Sequence, residues 1–568
     1  MNFYTQKYRF NSIYIKKVII PFYNFFWNYR IFLSAFLTVI IAFGPKKVLA
    51  QTNKKHPSTI HNEADIKAAH KNSADSVTTD LLKKYVKHFN ATQPQHVVNY
   101  IPDSLAYSWL SKNIPLFSCP DSVIQQIYYY RWWTFRKHLV KTPEGFIFTE
   151  FITNVSFSGI YNTDSSALGH HIYEGRWLHN PKYLNQYIWF WLLHDRYESH
   201  SELHNYSQWL ENAIYHRYLV NKDSTFVVPL ITDLDRDYRK WEKQRQEKNG
   251  MYWQYDVRDA MESSISGGRH VKNIRPTINS YMYGNAKALS KLAAIARIDS
   301  LKKEYHSKAK KLKRLVEKNL WNKKAHFFEV LEAKQGRDTL SNVREEIGYI
   351  PWYFDLPADS SKYAQAWLQL RDTSGFKAPY GITTAERRSP KYMEYPCCHS
   401  EWDGPVWPFA TTQTLIGLAN LLNNYHRQPM TKQDYFRLLK QYAVSQHKHG
   451  KPYIGEYQSP TTGKWLRGNN PRSRYYNHSD YCNLIITGLV GLRPRSDNTI
   501  EVNPLIPQGK WKWFCLDNVK YHHHFLTITW DKTGKKYHRG KGLRVYVDGK
   551  LIIHSKTLKK VYGKIPSS

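Results

Sequence analysis

From Asp121 to His447, apolar side chains return every three or four positions in stretches separated by Pro, Gly and Asn. The stretches are Ser122 to Leu139, Lys182 to Asp195, Ser201 to Tyr218, Asn279 to Arg297, Ser300 to Leu320, Trp407 to Asn424 and Thr431 to His447. That spacing puts the apolar groups on one side of a helix, so each is predicted helical. Helices arriving in successive pairs predict a closed ring of helical hairpins, an α/α barrel. From about Leu492 the period drops to two, in Thr499 to Val502, Leu526 to Trp530 and Leu543 to Val547, with Asp548-Gly549 ahead of Lys550 to Ile553. Alternation around an Asp-Gly turn predicts antiparallel hairpins. The expected fold is mostly α, a barrel over 95–491 followed by a C-terminal antiparallel β-domain over 492–568.

The N-terminal part reads differently. Ile31 to Gly44 is an apolar run preceded by Lys and Arg and followed by Val48-Leu49-Ala50, which predicts a signal peptide over 1–50 cut after Ala50. A bacterial secreted or periplasmic location follows. The run is short for a bilayer span, while Lys46-Lys47 and the apolar patch Val18 to Trp27 leave an uncleaved amphipathic anchor open. Residues 51–94 are polar and predicted to be a flexible lead-in.

At 568 residues the chain has room for one large domain and a smaller one. Its net charge is +36, and the first fifty residues hold seven Lys and Arg with no acid, so the remainder is still strongly basic. Much of this charge sits on helix-like surface, as in Lys302-Lys303 and Lys308 to Arg314. No nucleic-acid-binding motif accompanies it; a weak attraction to anionic surfaces, or a merely solvated basic face, is the expectation. The five cysteines, Cys119, Cys397, Cys398, Cys482 and Cys515, form no disulfide framework by count or spacing and no metal motif. His522 to His524 read as ordinary strand. No metal and no cofactor are expected.

The candidate chemistry lies in two islands. Asn249 to Tyr283 contains Asp256, Asp259 and Glu262, three residues apart, so in a helix they share a side and raise one another's pKa until one stays protonated near neutrality. Arg258 and Arg269 can keep the others ionised. The second island, Glu401 to Gly463, carries Trp402, Asp403, Trp407 and then Glu456-Tyr457, with Gly455, Pro460 and Gly463 marking a tight loop. Two carboxyl groups flanking one bond, with aromatic residues to hold a ring, are what glycoside hydrolysis requires. Trp253, Trp402, Trp407 and Tyr457 are candidate sugar platforms, though each Trp could equally fill a core, and the acidic triplet could merely salt-bridge basic helices. Gly169 to Trp177 and Thr383 to Arg388 could support the site or be purely structural.

In this order Asp259 within Asp-Ala-Met-Glu-Ser-Ser-Ile-Ser-Gly, the helix entry Arg275 to Tyr281 including Asn279, Trp402-x-Gly404-Pro405-x-Trp407-Pro408 and Glu456-Tyr457-x-x-Pro460-x-Thr462-Gly463 resemble the six-hairpin, (α/α)6-barrel glycoside hydrolases. That group includes trehalases, glycoside hydrolase family 63 α-glucosidases and mannosylglycerate hydrolases, and the nearest match is a mannosylglycerate-hydrolase-like domain. The resemblance covers roughly 120–568. It implies an inverting, exo-acting glycosidase with an Asp general acid and a Glu general base. Glu456 aligns as the base; Asp259 is favoured as the acid, then Asp256, then Glu262. Trp253, Arg258, Glu262, Arg269, Asn279, Trp402, Trp407 and Tyr457 are expected to bind the carbohydrate. The rivals are a sugar isomerase or epimerase using His as acid and base, and a non-catalytic carbohydrate-binding or surface protein.

Overall fold

The computed structural model describes residues 73–159, 161–197, 202–334 and 337–566. They fall within one compact unit, Glu63–Ser568. The expected signal peptide and its cleavage point lie outside the described residues.

Two kinds of helix make up the greater part. Helices α1 (Ser73–Thr92), α2 (Ala106–Asn113) and α3 (Ser122–Lys137) come first. Then come α4 (Leu168–Gly175), α5 (Lys182–Tyr197), α6 (Leu210–Asn221) and α7 (Ile231–Arg245). The set continues with α8 (Pro276–Ile295), α9 (Asp299–Asn319), α10 (Pro408–Asn424) and α11 (Lys432–Ser445). In α10 every residue from Pro408 to Leu421 is buried, and α8 is nearly as enclosed; helices apolar all round belong inside a larger assembly. Both start on a proline at the first turn, where the missing N–H costs nothing. By contrast α9 buries only Tyr305, Ala309, Leu312 and Val316, a single stripe, and turns its lysines to water. Its partner α8 packs along that stripe.

Strands follow the last helix. Strands β2 (Leu492–Arg493) and β3 (Thr499–Val502) join β8 (Val561–Lys564) in one antiparallel sheet. The larger sheet runs β1-β4-β5-β6-β7, with β1 (Leu116–Ser118), β4 (Trp513–Tyr521), β5 (His524–Asp531), β6 (Gly542–Val547) and β7 (Lys550–Ser555). Strand β1 lies between α2 and α3 in the chain, yet pairs Phe117 with Leu516, and Ser118 Oγ meets Tyr537 Oη at 2.7 Å. The terminal strands are therefore built onto the helical part.

Three expectations need correction. The supposed flexible lead-in contains α1, whose Leu82, Val86 and Phe89 are buried at helical spacing, with Phe89 edge-on to Tyr130 at 5.4 Å. The helix expected from Ser201 starts at Leu210, after a short 3₁₀ turn at Glu202–His204. His522 and His523 have φ of 48° and 69°, so they form the left-handed turn between β4 and β5 and not strand.

Phe89→Ala is predicted to cost about 3–5 kcal/mol, as for other buried aromatic truncations, read from the midpoint of urea unfolding. A change below about 0.5 kcal/mol would mean that α1 is the loose lead-in its composition suggests.

Candidate active site

The first island is a loop held at its neck. Trp253 pairs with Ile274 and Gln254 with Asn273, so residues 255–272 leave and re-enter the fold at one point. Within it, Asp256–Asp259 form one 3₁₀ turn, and Ala260 ends that turn in the left-handed region at φ 59°, ψ 36°. This break decides the chemistry: a continuous helix would align Asp256, Asp259 and Glu262, but past Ala260 the chain turns away and Glu262 separates from the two aspartates.

The aspartates are committed to Arg275, the buried residue that opens α8. Arg275 Nη1 donates to Asp256 Oδ1 at 2.5 Å and Nε donates to Asp259 Oδ2 at 2.7 Å. Thr277 Oγ1 also donates to Asp259, and Ser264 Oγ donates to Asp256 at 2.5 Å. Burial pushes the Asp256 carboxyl up to about 7 while the Arg275 guanidinium pulls it back. Behind them Glu345 accepts from the backbone N–H of Ile265 at 3.0 Å and from Ser266 Oγ, fixing the return of the loop.

Glu262 instead lines a narrow cavity together with Glu150, Asp164, Tyr206, Trp402, Trp407, Phe409, Glu456, Arg472, Tyr476 and His478. Its Oε2 is buried and has no hydrogen-bond partner, and among the described residues it makes no ion pair. Burial raises it to about 7, the charge of Glu456 adding to the effect and Arg269 opposing it. Glu456 faces the same cavity in a different setting. Arg472 Nη2 donates to its Oε1 at 2.8 Å and Arg467 Nη1 lies 3.5 Å from Oε2. Burial raises Glu456 too, but both guanidiniums draw it back toward the ionised form. Glu150 accepts from Tyr476 Oη at 2.5 Å and is driven well above the carboxylate range by burial and by Asp164; burial brings Asp164 to about 6.

The segments are tied into one rim by backbone bonds. Ser263 pairs with Glu401 in a parallel bridge, Trp402 N–H donating to Ser263 O at 3.0 Å. Val406 pairs with Gln458, linking the tryptophan loop to the Glu456 loop. Gly463 turns that second loop at φ 69°, a conformation that suits glycine. Thr384, from the expected supporting stretch, accepts from Gly404 N–H at 3.1 Å and donates to Pro405 O at 2.9 Å.

The remaining expected residues divide. Trp402, Trp407 and Tyr457 stack as one column, with centroids 4.4 and 4.5 Å apart, so the two tryptophans line the cavity and Tyr457 backs them. Trp253 lies away from the lining, under Arg245 and Lys272. Arg258 packs near Tyr206 and holds the Asn205 carbonyl; Arg269 is exposed and donates to the Glu262 carbonyl at 3.3 Å. Asn279 is a clamp, bonded to both backbone groups of Tyr252. His170 and His171 serve internal contacts with Asp480, Tyr187 and the Asn477 carbonyl. Glu150, Asp164, Arg467 and Arg472 were not anticipated; only the two arginines had a signal, lying shortly after Glu456. Cys397 and Cys398, expected to form no disulfide framework, bond to each other, and the Cys398 carbonyl accepts from Arg467 Nε and Nη2 at 3.1 and 2.9 Å. Cys119, Cys482 and Cys515 are buried thiols.

Residues 160–479 match the family model of the mannosylglycerate hydrolase MGH1-like glycoside hydrolase domain, more than half of the chain. The chain belongs to this family of glycoside hydrolase domains. Residues 492–554 match the C-terminal domain of glycosyl hydrolase family 65, beginning where helices give way to strands. A solved structure titled Sialidase is 48% identical with a TM-score of 0.84, over 88% of this chain and 45% of that one. A family 78 rhamnosidase of Bacillus sp. GL1 shares the fold at 11% identity and a TM-score of 0.55, over 73% of this chain and 40% of that one. An uncharacterized protein of Borreliella burgdorferi is 25% identical over 187 residues, 33% of this chain and 37% of its own. The glycosidase thus spans less than half the length of these relatives.

Asp259→Ala is predicted to destabilise the glycosidase by about 3–5 kcal/mol, because it leaves a buried guanidinium half-paired. Glu262→Gln, with an unpartnered oxygen to lose, should move the unfolding midpoint by less than about 1 kcal/mol. The reverse order in chemical denaturation would identify Asp259 as the unengaged carboxyl.

Proposed function

We propose that this glycosidase cleaves its substrate with inversion, Glu262 donating a proton to the leaving oxygen and Glu456 drawing one from the attacking water. One observation carries the reading: Glu262 and Glu456 share a cavity in opposite electrostatic settings, whereas Asp256 and Asp259 are both bound to Arg275. A general acid has to hold its proton at working pH and a general base has to lack one. Glu262, raised to about 7 by burial and in no ion pair among the described residues, suits the first condition. Glu456 is raised by burial as well, but Arg472 and Arg467 draw it back toward the ionised form that the second requires.

In this reading a helical-hairpin barrel with an appended β-domain supports the cavity, and the export signal predicted at the N-terminus takes the enzyme out of the cytoplasm. Trp402, at the end of the stacked column, is the candidate face for the apolar side of a sugar ring, since Trp407 is covered on one face by Trp402 and on the other by Tyr457. The free space between the side chains is ≈ 30 Å³, and Phe157, 47% exposed, is part of its lining. Four carboxyl groups line the cavity and its lining arginine, Arg472, is engaged by Glu456. That balance favours an uncharged sugar at the point of cleavage and disfavours a sialoside, despite the name of the 48%-identical relative. The only lining histidine, His478, is held well below its ordinary pKa by burial, which leaves the isomerase alternative without an acid–base histidine.

Glu262→Gln on alkyl glycosides of neutral sugars, and Glu456→Gln on alkyl and aryl glycosides alike, are predicted to lower kcat/KM by about 10²–10⁴-fold. Activity should fall as pH rises through about 7, because Glu262 is the donor only while protonated and its pKa lies near that value. Full activity of either variant, or an alkaline limb unaltered by Glu262→Gln, would refute the assignment. Turnover confined to sialosides would refute the neutral-sugar reading.

A further inference from the structure

The helices that frame the catalytic cavity frame a second one at their other ends. Asp164 and Ser166 precede α4 on the catalytic side, while Arg176 directly follows its last residue. On α8 the catalytic end carries Arg275 and Thr277, and Lys287 and Lys291 face the second cavity. On α10, Trp407 and Phe409 line the first and Ile416 and Asn420 the second. At 1.5 Å per residue the rise from Thr277 to Lys291 is about 20 Å, so the two are separate sites.

The second cavity, ≈ 210 Å³, is cationic. Arg176, Lys287, Lys291 and Arg493 line it against a single carboxylate, Asp355. Arg176 is only 6% exposed, yet its bonds go to neutral acceptors: Nη2 to Asn483 Oδ1 at 2.9 Å and Nη1 to the His216 carbonyl at 3.3 Å. Its Nε has no partner, and neither has the Tyr353 hydroxyl, 4% exposed in the same lining. Arg493 Nη2 likewise donates to an amide oxygen, Asn420 Oδ1, at 2.8 Å. Among the described residues neither arginine has a carboxylate within ion-pair distance, and Lys287 approaches Asp355 only to 3.8 Å. The partial negative charge at the C-terminal end of α4 offsets a fraction of one unit. Burial holds Arg176 and Arg493 below their ordinary pKa, with the more distant Asp480 opposing the shift at Arg176 and Asp355 and Glu501 opposing it at Arg493. Burial with the neighbouring cations lowers His216.

Four cations against one lining carboxylate, with the buried Arg176 in no ion pair among the described residues, are costly unless something supplies further negative charge. We propose that this cavity binds a small, multiply charged oxyanion of the phosphate or sulfate class, either free or as the ester group of a sugar. The oxygens of such a group would take the guanidinium edges of Arg176 and Arg493 and the ammonium groups of Lys287 and Lys291, with the Tyr353 hydroxyl as a neutral donor. The proposal is independent of which sugar the catalytic cavity cleaves.

The test is calorimetric titration of the full chain with inorganic phosphate, and separately with glucose 6-phosphate, against chloride at equal ionic strength. Saturable binding of at least one phosphate is expected, with no such binding of chloride. Arg493→Met and the double variant Lys287→Met/Lys291→Met should each weaken it about tenfold or more, the worth of a charge-assisted hydrogen bond. The lysine variant changes exposed and half-exposed positions, so it folds even if the arginine variant does not. Tighter binding of glucose 6-phosphate identifies a sugar ester, and equal or tighter binding of inorganic phosphate identifies the free ion. Absence of saturable binding of both, or unaltered affinity in the lysine variant, would overturn the proposal.

Discussion

Three arginines are shared unevenly among the buried carboxyl groups of the two islands, and that sharing sets the surroundings of each. Arg275 takes Asp256 and Asp259 out of play. Arg467 and Arg472 both go to Glu456. Glu262 receives no ion pair among the described residues and is left to burial, which favours its protonated form. The asymmetry on which the proposed acid and base rest therefore comes from uneven sharing of counter-charge among residues of one chemical type. Two of the three arginines are themselves fixed: Arg275 by its position at the head of α8, and Arg467 by the Cys398 carbonyl.

The same helices carry charge of opposite sign at their two ends. Carboxyl groups gather near the N-terminal ends of α4, α8 and α10, and cations near the C-terminal end of α4 and the later turns of α8. Helix dipoles favour that polarity, since an N-terminus is partly positive and a C-terminus partly negative. Backbone bridges then complete the catalytic rim. Ser263 to Glu401 and Val406 to Gln458 join the loop of Glu262, the tryptophan loop and the loop of Glu456 into one frame.

Much of this was legible in the sequence. The three- and four-residue spacing located α3, α5, α8, α9, α10 and α11 to within a few residues, and Asp548-Gly549 marked the β6–β7 turn. Helix α1 was hidden because its lysines dominate its composition while only Leu82, Val86 and Phe89 report the buried side. Helix α7 was missed for the same reason: a mostly charged segment buries Ile231, Leu234, Tyr238 and Trp241 along one stripe. Glu456 and the Trp402–Trp407 pair stood out through the glycines and prolines that shape their loops. Glu262 was present in the acidic triplet but ranked last, because its separation depends on one left-handed residue, Ala260, which no periodicity reveals. Glu150 and Asp164 come from an unrelated part of the chain and enter the site only through tertiary contacts.

The division of protonation between Glu262 and Glu456 is tested most directly by the dependence of rate on leaving group. A leaving group that departs as a stable anion needs no proton, whereas an alkoxide needs one. Comparing kcat/KM on a dinitrophenyl glycoside and on the matching alkyl glycoside isolates the acid's contribution in one ratio. Glu262→Gln is expected to lose activity chiefly on the alkyl glycoside, and Asp259→Asn to leave the ratio where it is in the unaltered enzyme. A ratio shifted by Asp259→Asn and untouched by Glu262→Gln would contradict that division.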